Sequence, residues 1–222
     1  MGKNNTLIKL SNISFSYPSK MNLLNDLSFT LRLGDRVGII GPNGSGKTTL
    51  FYVIMGLIQP YEGHVEICGK IRVEQADFRE VREKIGFLFQ NSDDQLFCPS
   101  VREEVSFGPL NFGIDREEVK KAVKETLINV GLEGFEVRPP YDLSGGEKRK
   151  LALATILVLK PKILLLDEPT IGLDEETVEK IIEILNEPDL SYIIISQNRE
   201  FLKKTTDILY TLNNGKMKEM NI

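Results

Sequence analysis

The segment Gly41-Pro42-Asn43-Gly44-Ser45-Gly46-Lys47-Thr48 restricts the fold of this chain more than any other. It follows Val37–Ile40, a continuous apolar run that reads as a strand buried on both faces. It opens the apolar stretch Thr49–Leu57, which reads as a helix. Its glycines let the backbone curl until successive N–H groups point inward, a cradle for phosphate oxygens. The helix N-terminus behind the loop adds a favourable dipole. In such a loop Lys47 reaches the β- and γ-phosphates of a nucleotide, and Thr48 offers its hydroxyl to Mg²⁺.

The rest of the pattern fits an α/β fold. Ile163–Leu166 and Tyr192–Ile195 are two more continuous apolar runs, and Ile85–Phe89 is a fourth strand candidate. Helical patterns lie between them, so the core is expected to be a mostly parallel sheet flanked by helices. Leu27, Phe29 and Leu31 alternate with polar residues, as in a half-buried strand. Asp207–Met220 reads as two short strands joined by Asn213-Asn214-Gly215, an antiparallel edge. From about 92 to 159 the signal is helical only. Ser100 with Glu103 and Asp115 with Glu118 have capping-box spacing, and Val119, Val123, Leu127 and Val130 recur at helical intervals. One domain over residues 1–222 is expected, with its core in 1–91 and 160–222 and an inserted helical subdomain at about 92–159.

Composition removes several functions. The chain has 222 residues, 28 basic and 32 acidic, for a net charge of −4. That balance and a pI near 5.3 fit poorly with a nucleic-acid binder. The single histidine, His64, excludes any mechanism that needs two. It reads as an exposed residue on a surface strand. Cys68 and Cys98 read as reduced structural thiols of a cytoplasmic protein. The N-terminal residues lack the apolar stretch of a signal peptide. The longest uncharged run, Thr48–Tyr61, is too short for a membrane span.

Two further clusters carry chemistry. Asp167 ends the Ile163–Leu166 strand with Glu168 beside it, one acid to hold Mg²⁺ through water and one to polarise an attacking water. Leu143-Ser144-Gly145-Gly146-Glu147 opens a helical pattern over Lys148–Leu159, a second anion site at a helix N-terminus. A single protomer has little use for two γ-phosphate sites. Two protomers arranged head to tail do, if each lends its second site to the other's nucleotide.

These motifs resemble those of ABC-type ATPases. LSGGE resembles the family's signature motif, and ILLLDEPT its Walker B segment and following turn. Gln90 matches the Q-loop glutamine, Gly172-Leu173-Asp174 the D-loop, and Tyr17 the aromatic that stacks on adenine. The stretch Gln90–Phe97, with Gly108-Pro109-Leu110-Asn111, is similar to the ATPase components of energy-coupling factor transporters, importers of cobalt, nickel or vitamins.

The resemblance implies the ABC ATPase fold and a peripheral subunit at the cytoplasmic face of the membrane. A dimer closes on two ATP molecules and opens after hydrolysis to power solute import. Tyr17 stacks on the base, and Gly41, Pro42, Asn43, Gly44, Ser45, Gly46, Lys47, Thr48 and Thr49 hold the phosphates. Thr48 and Gln90 ligate Mg²⁺ directly and Asp167 through water, while Glu168 is the base. Leu143, Ser144, Gly145, Gly146, Glu147 and Asp174 face the partner protomer's ATP, with Ser144, Gly145 and Gly146 capping its γ-phosphate. Further partners are a transmembrane coupling subunit and a substrate-binding membrane subunit. Asp93 and Asp94 are either acceptors for basic residues of the coupling subunit or a solvated acidic loop.

Two departures from the family pattern stand out. Gln197 follows the Tyr192–Ser196 strand where the family has a γ-phosphate-contacting histidine. Its amide can donate to phosphate and orient water but cannot relay a proton, so a slowed site is expected, suited to a heterodimer with a stronger paralogue. Many energy-coupling ATPases also carry a C-terminal dimerisation region beyond the point at which this sequence stops. Either dimerisation without nucleotide is weak, or the sequence is a piece of a longer one. Other classes fit less well. Soluble ABC proteins acting on ribosomes or DNA usually have two nucleotide domains or a coiled-coil insertion; the sequence has no Asn-Lys-x-Asp guanine motif, and neither a phosphate-loop GTPase nor a kinase explains LSGGE.

Overall fold

The computed structural model describes residues 5–188 and 190–220. They form two compact units, one from the chain up to Lys84 and again from Pro188 onward, the other from Ile85 to Glu187.

The first unit holds an antiparallel sheet and a parallel array. Strands β1 (Thr6–Tyr17), β2 (Lys20–Arg32), β4 (Glu62–Ile67) and β5 (Lys70–Arg72) pair in the order β2-β1-β4-β5. Ile8, Leu10 and Ile13 of β1 are buried with Leu24, Leu27, Phe29 and Leu31 of β2, in the register Leu10↔Phe29 and Ile13↔Leu27. One face is apolar and the other polar, as an antiparallel sheet packed on one side requires. The antiparallel part is thus larger than the terminal edge that the sequence pattern marks. His64 is exposed on β4, opposite Ser11, as expected.

In the parallel array β3 (Arg36–Ile40) lies between β8 (Ser191–Ile195) and β9 (Ile208–Asn213), parallel to both. Strand β10 (Lys216–Met220) returns antiparallel to β9 after the Asn213–Gly215 turn. Every residue of β8 is buried, which suits its apolar run Tyr192–Ile195, while the Ser191 hydroxyl is satisfied by the Gly34 N–H. Helices α1 (Lys47–Ile54), α2 (Asp77–Lys84) and α7 (Arg199–Thr205) complete the unit.

The second unit contains β6 (Ile85–Leu88) and β7 (Ile163–Asp167), parallel in the register Ile85↔Ile163 to Leu88↔Leu166. Its helices are α3 (Val101–Asn111), α4 (Arg116–Asn129), α5 (Gly145–Leu157) and α6 (Glu175–Leu185). Val101 and Val105 of α3, Val119, Val123 and Leu127 of α4, and Leu151 and Ala154 of α5 share one core. Burying each larger side chain is worth about 1.5–3 kcal/mol, which ties the three helices together.

The helix starts differ in detail from the expected boxes. Ser100 accepts from the Glu103 N–H, but the Glu103 carboxylate meets the Ser100 hydroxyl rather than its N–H. Asp115 accepts from the Glu117 N–H, one residue short of the expected partner. The reciprocal box forms at Ser144 and Glu147, which draws both glycines into the first turn of α5 and starts it three residues before Lys148. Among the described residues, no helix is long and apolar enough to cross a membrane. Both cysteines are free, and burial pushes the Cys98 thiol up to about 11, leaving it unreactive at neutral pH.

Candidate active site

The phosphate loop lies within the first unit. Strand β3 ends at Ile40, the loop runs from Gly41 to Gly46, and α1 begins at Lys47. Gly46 caps α1 with φ +102°, a conformation that favours glycine. At Gly41 a Cβ would stand 2.3 Å from the Leu212 carbonyl oxygen, so only glycine fits. Lys47 is buried, and its ammonium donates to the carbonyls of Gly41 (2.8 Å) and Pro42 (2.9 Å). The Ser45 hydroxyl is buried with no hydrogen-bond partner among the described residues. An orphaned hydroxyl inside the loop fits a phosphate as its missing partner.

Gln197 follows β8 and donates through Nε2 to the Gly41 carbonyl at 2.8 Å, the same oxygen that Lys47 uses. Gln197 and Arg199 line a cleft of about 460 Å³ beside Pro42 and Asn43. Arg199, the first residue of α7, carries no motif that marks it in the sequence. Tyr17 ends β1 with its ring edge-on to Phe15, at a centroid separation of 4.8 Å. It precedes β2, whose Leu23 and Leu24 lie against Gly46.

The second unit carries the acidic pair and the second glycine motif. Asp167 is buried at the end of β7, and Glu168 follows with φ +50°, an unusual value for a side chain with a Cβ. Gln90 is exposed just after β6. Ser144 caps α5: its hydroxyl accepts from the Glu147 N–H at 3.3 Å, and the Glu147 carboxylate accepts from the Ser144 N–H at 2.7 Å. That pairing with Ser144 lowers the Glu147 pKa. The Ser144 hydroxyl hydrogen remains available to a phosphate. Among the described residues outside its own helical turn, nothing lies within 4 Å of where a Gly145 Cβ would be, whereas at Gly146 a Cβ would approach the Gly172 carbonyl to 2.8 Å.

Charged residues of α5 reach the segments that follow β6 and β7. Lys148 pairs with Asp93 at 2.7 Å, so Asp93 already has a partner in its own chain, while Asp94 is exposed. Lys150 lies 3.5 Å from Asp174. Asp174 caps α6, accepting from the backbone and hydroxyl of Thr177, and these bonds hold its carboxyl down at about 2. Between the two lysines, Arg149 is buried and donates to the carbonyls of Phe89, Gln90, Asp167 and Glu168. Burial draws its guanidinium down to about 10 against the pull of Asp167 and Glu168. Nothing in the sequence separates Arg149 from its neighbouring lysines, because Leu151 to Ala154 are buried all round and helical spacing sets each of the three beside them.

Among the described residues no group of three or more His, Cys, Asp or Glu could hold a metal ion. Thr48, Gln90 and Asp167 offer hydroxyl, amide and carboxylate oxygens, the hard donors that suit Mg²⁺ alongside phosphate oxygens and water.

A family profile for the ABC transporter matches residues 24–171. The chain belongs to the ABC transporter ATP-binding family, and it is an ATP hydrolase. It is 43% identical over 215 residues to the energy-coupling factor transporter ATP-binding protein EcfA of Methanothermobacter thermautotrophicus, covering 95% of this chain and 69% of that one. Among solved structures, cbiO1 of Clostridium perfringens, part of the ABC transporter complex cbiONQ, superposes with a TM-score of 0.83 at 30% identity, over 97% of this chain and 88% of that one. The dimeric cassette MJ0796, bound to ADP and Pi after hydrolysis, gives a TM-score of 0.86 at 28% identity, over 97% and 100%.

Proposed function

We propose that this ATPase powers solute import as a subunit of an energy-coupling factor transporter, at the cytoplasmic face of the membrane. The observation that carries this reading is the likeness to EcfA of Methanothermobacter thermautotrophicus across 95% of the chain. The likeness to cbiO1 supports a membrane complex as the partner, and that to the MJ0796 dimer supports a second ATPase protomer.

In the proposed cycle Tyr17 stacks on adenine. Residues Gly41 to Thr49 take the triphosphate, and Lys47 exchanges its two carbonyl partners for phosphate oxygens. Thr48, Gln90 and Asp167 hold Mg²⁺, which when bound neutralises charge on the phosphates. Glu168 accepts a proton from the attacking water as the bond from the γ-phosphorus to the bridging oxygen breaks. Residues Leu143 to Glu147 serve the partner protomer's ATP. Asp174 is assigned to that same interface, although here it caps α6. Gln197 stands in for a histidine and slows the site, because an amide orients water without relaying its proton.

Retrieval of the tagged protein from detergent-solubilised membranes of its own cell tests the transporter assignment. A hydrophobic multi-span subunit and an ATPase protomer are expected in the retrieved complex. Retrieval of ribosomes without any membrane subunit would overturn it.

A further inference from the structure

We propose that Arg149 is a positioning residue for hydrolysis, holding from beneath the two strand ends that carry Gln90 and Glu168. The proposal rests on the reading of those two residues as metal ligand and base. Its guanidinium donates to the carbonyls of Phe89 and Gln90 after β6, the latter at 3.3 Å. It also donates to the carbonyls of Asp167 and Glu168 at the end of β7, the latter at 2.7 Å. One planar fork therefore holds the peptide groups on both sides of Glu168, whose backbone has φ +50°. No other residue type offers that many donors in one rigid plane.

Two observations argue for more than packing. A buried cation among neutral carbonyls is costly, and tying two strand ends together needs only neutral amides. Gln95, a neutral amide, already joins the end of β6 to α5, accepting from the Phe89 N–H and donating to the Ala152 carbonyl and the Thr155 hydroxyl. The charge adds a positive field beside Asp167 and Glu168 and joins both to α5, the helix that begins with the Ser144 motif. Lys148 and Lys150 extend the connection to Asp93 and Asp174, so three successive cations fasten one helix to the two segments that follow β6 and β7.

The test compares the full chain with Arg149→Lys and Arg149→Gln, using Glu168→Gln as a control on the underlying reading. Fluorescent-ATP titration counts the binding-competent sites, steady-state assays give kcat per competent site and KM, and thermal melting monitors the fold. A positioning role predicts an unchanged number of sites and a KM shifted by less than about threefold. It also predicts a fall in kcat per site of about 100-fold in Arg149→Gln, with partial recovery in Arg149→Lys. If kcat per competent site stays at the wild-type value while melting temperature or site number falls, Arg149 is only a packing residue and the proposal is overturned. Failure of both variants to give ATP-binding protein has the same meaning. If Glu168→Gln hydrolyses ATP at the wild-type rate, the reading beneath the proposal fails instead, whatever the Arg149 variants do.

Discussion

Gln197 shows how much one residue can be asked to explain. It sits at the end of a fully buried strand, and its amide reaches the first carbonyl of the phosphate loop at 2.8 Å. A histidine there could make the same contact and also carry a proton. Gln197→His is therefore expected to raise steady-state kcat about tenfold, with a smaller change in KM for ATP. Wild-type turnover already at the histidine variant's level would remove the case for a slowed site. Ser45 makes the complementary point, because its buried hydroxyl has no partner among the described residues and a phosphate oxygen would satisfy it.

At the scale of elements, close approach decides more than propensity. Helix α1 ends beside Gly56, whose φ is +65° and whose Cβ would lie 2.3 Å from the Phe78 ring of α2. Gly56→Ala is expected to lose about 2–3 kcal/mol, measurable by urea unfolding, because neither the backbone nor the ring can give way cheaply. The sequence pattern marked the helical region well, since Val119, Val123 and Leu127 fall on one face of α4 and that face is buried. It marked β3, β7 and β8 equally well, because strands buried on both faces keep unbroken apolar centres and confine polar residues to their ends. Strands β1, β4 and β5 carried a weaker signal. Half their residues face solvent, and β1 is interrupted by register shifts that break strict alternation.

For the molecule as a whole, net charge is modest and acid sensitivity comes from particular clusters. Glu80 bonds Lys84, Arg72 and Lys70, and these partners, Lys84 foremost, take its pKa from 4.5 to about 2. A depressed carboxylate stabilises the fold above its unfolded pKa, and that contribution is lost as pH falls through the folded value. Wild type should melt above Glu80→Gln at neutral pH, and the gap should narrow as pH falls from 4.5 toward 2, read by melting curves across that range. The sequence by itself determined the phosphate loop, the acidic pair, the signature motif and the family. Those depend on contiguous residues whose chemistry needs that spacing. Tertiary structure alone decided that Asp93 and Asp174 are engaged by Lys148 and Lys150. It also decided that Arg149 is buried against carbonyls 60 positions before it and 18 after it. A basic residue between two others looks solvated in a sequence, and only the packing of α5 shows which one lost its water.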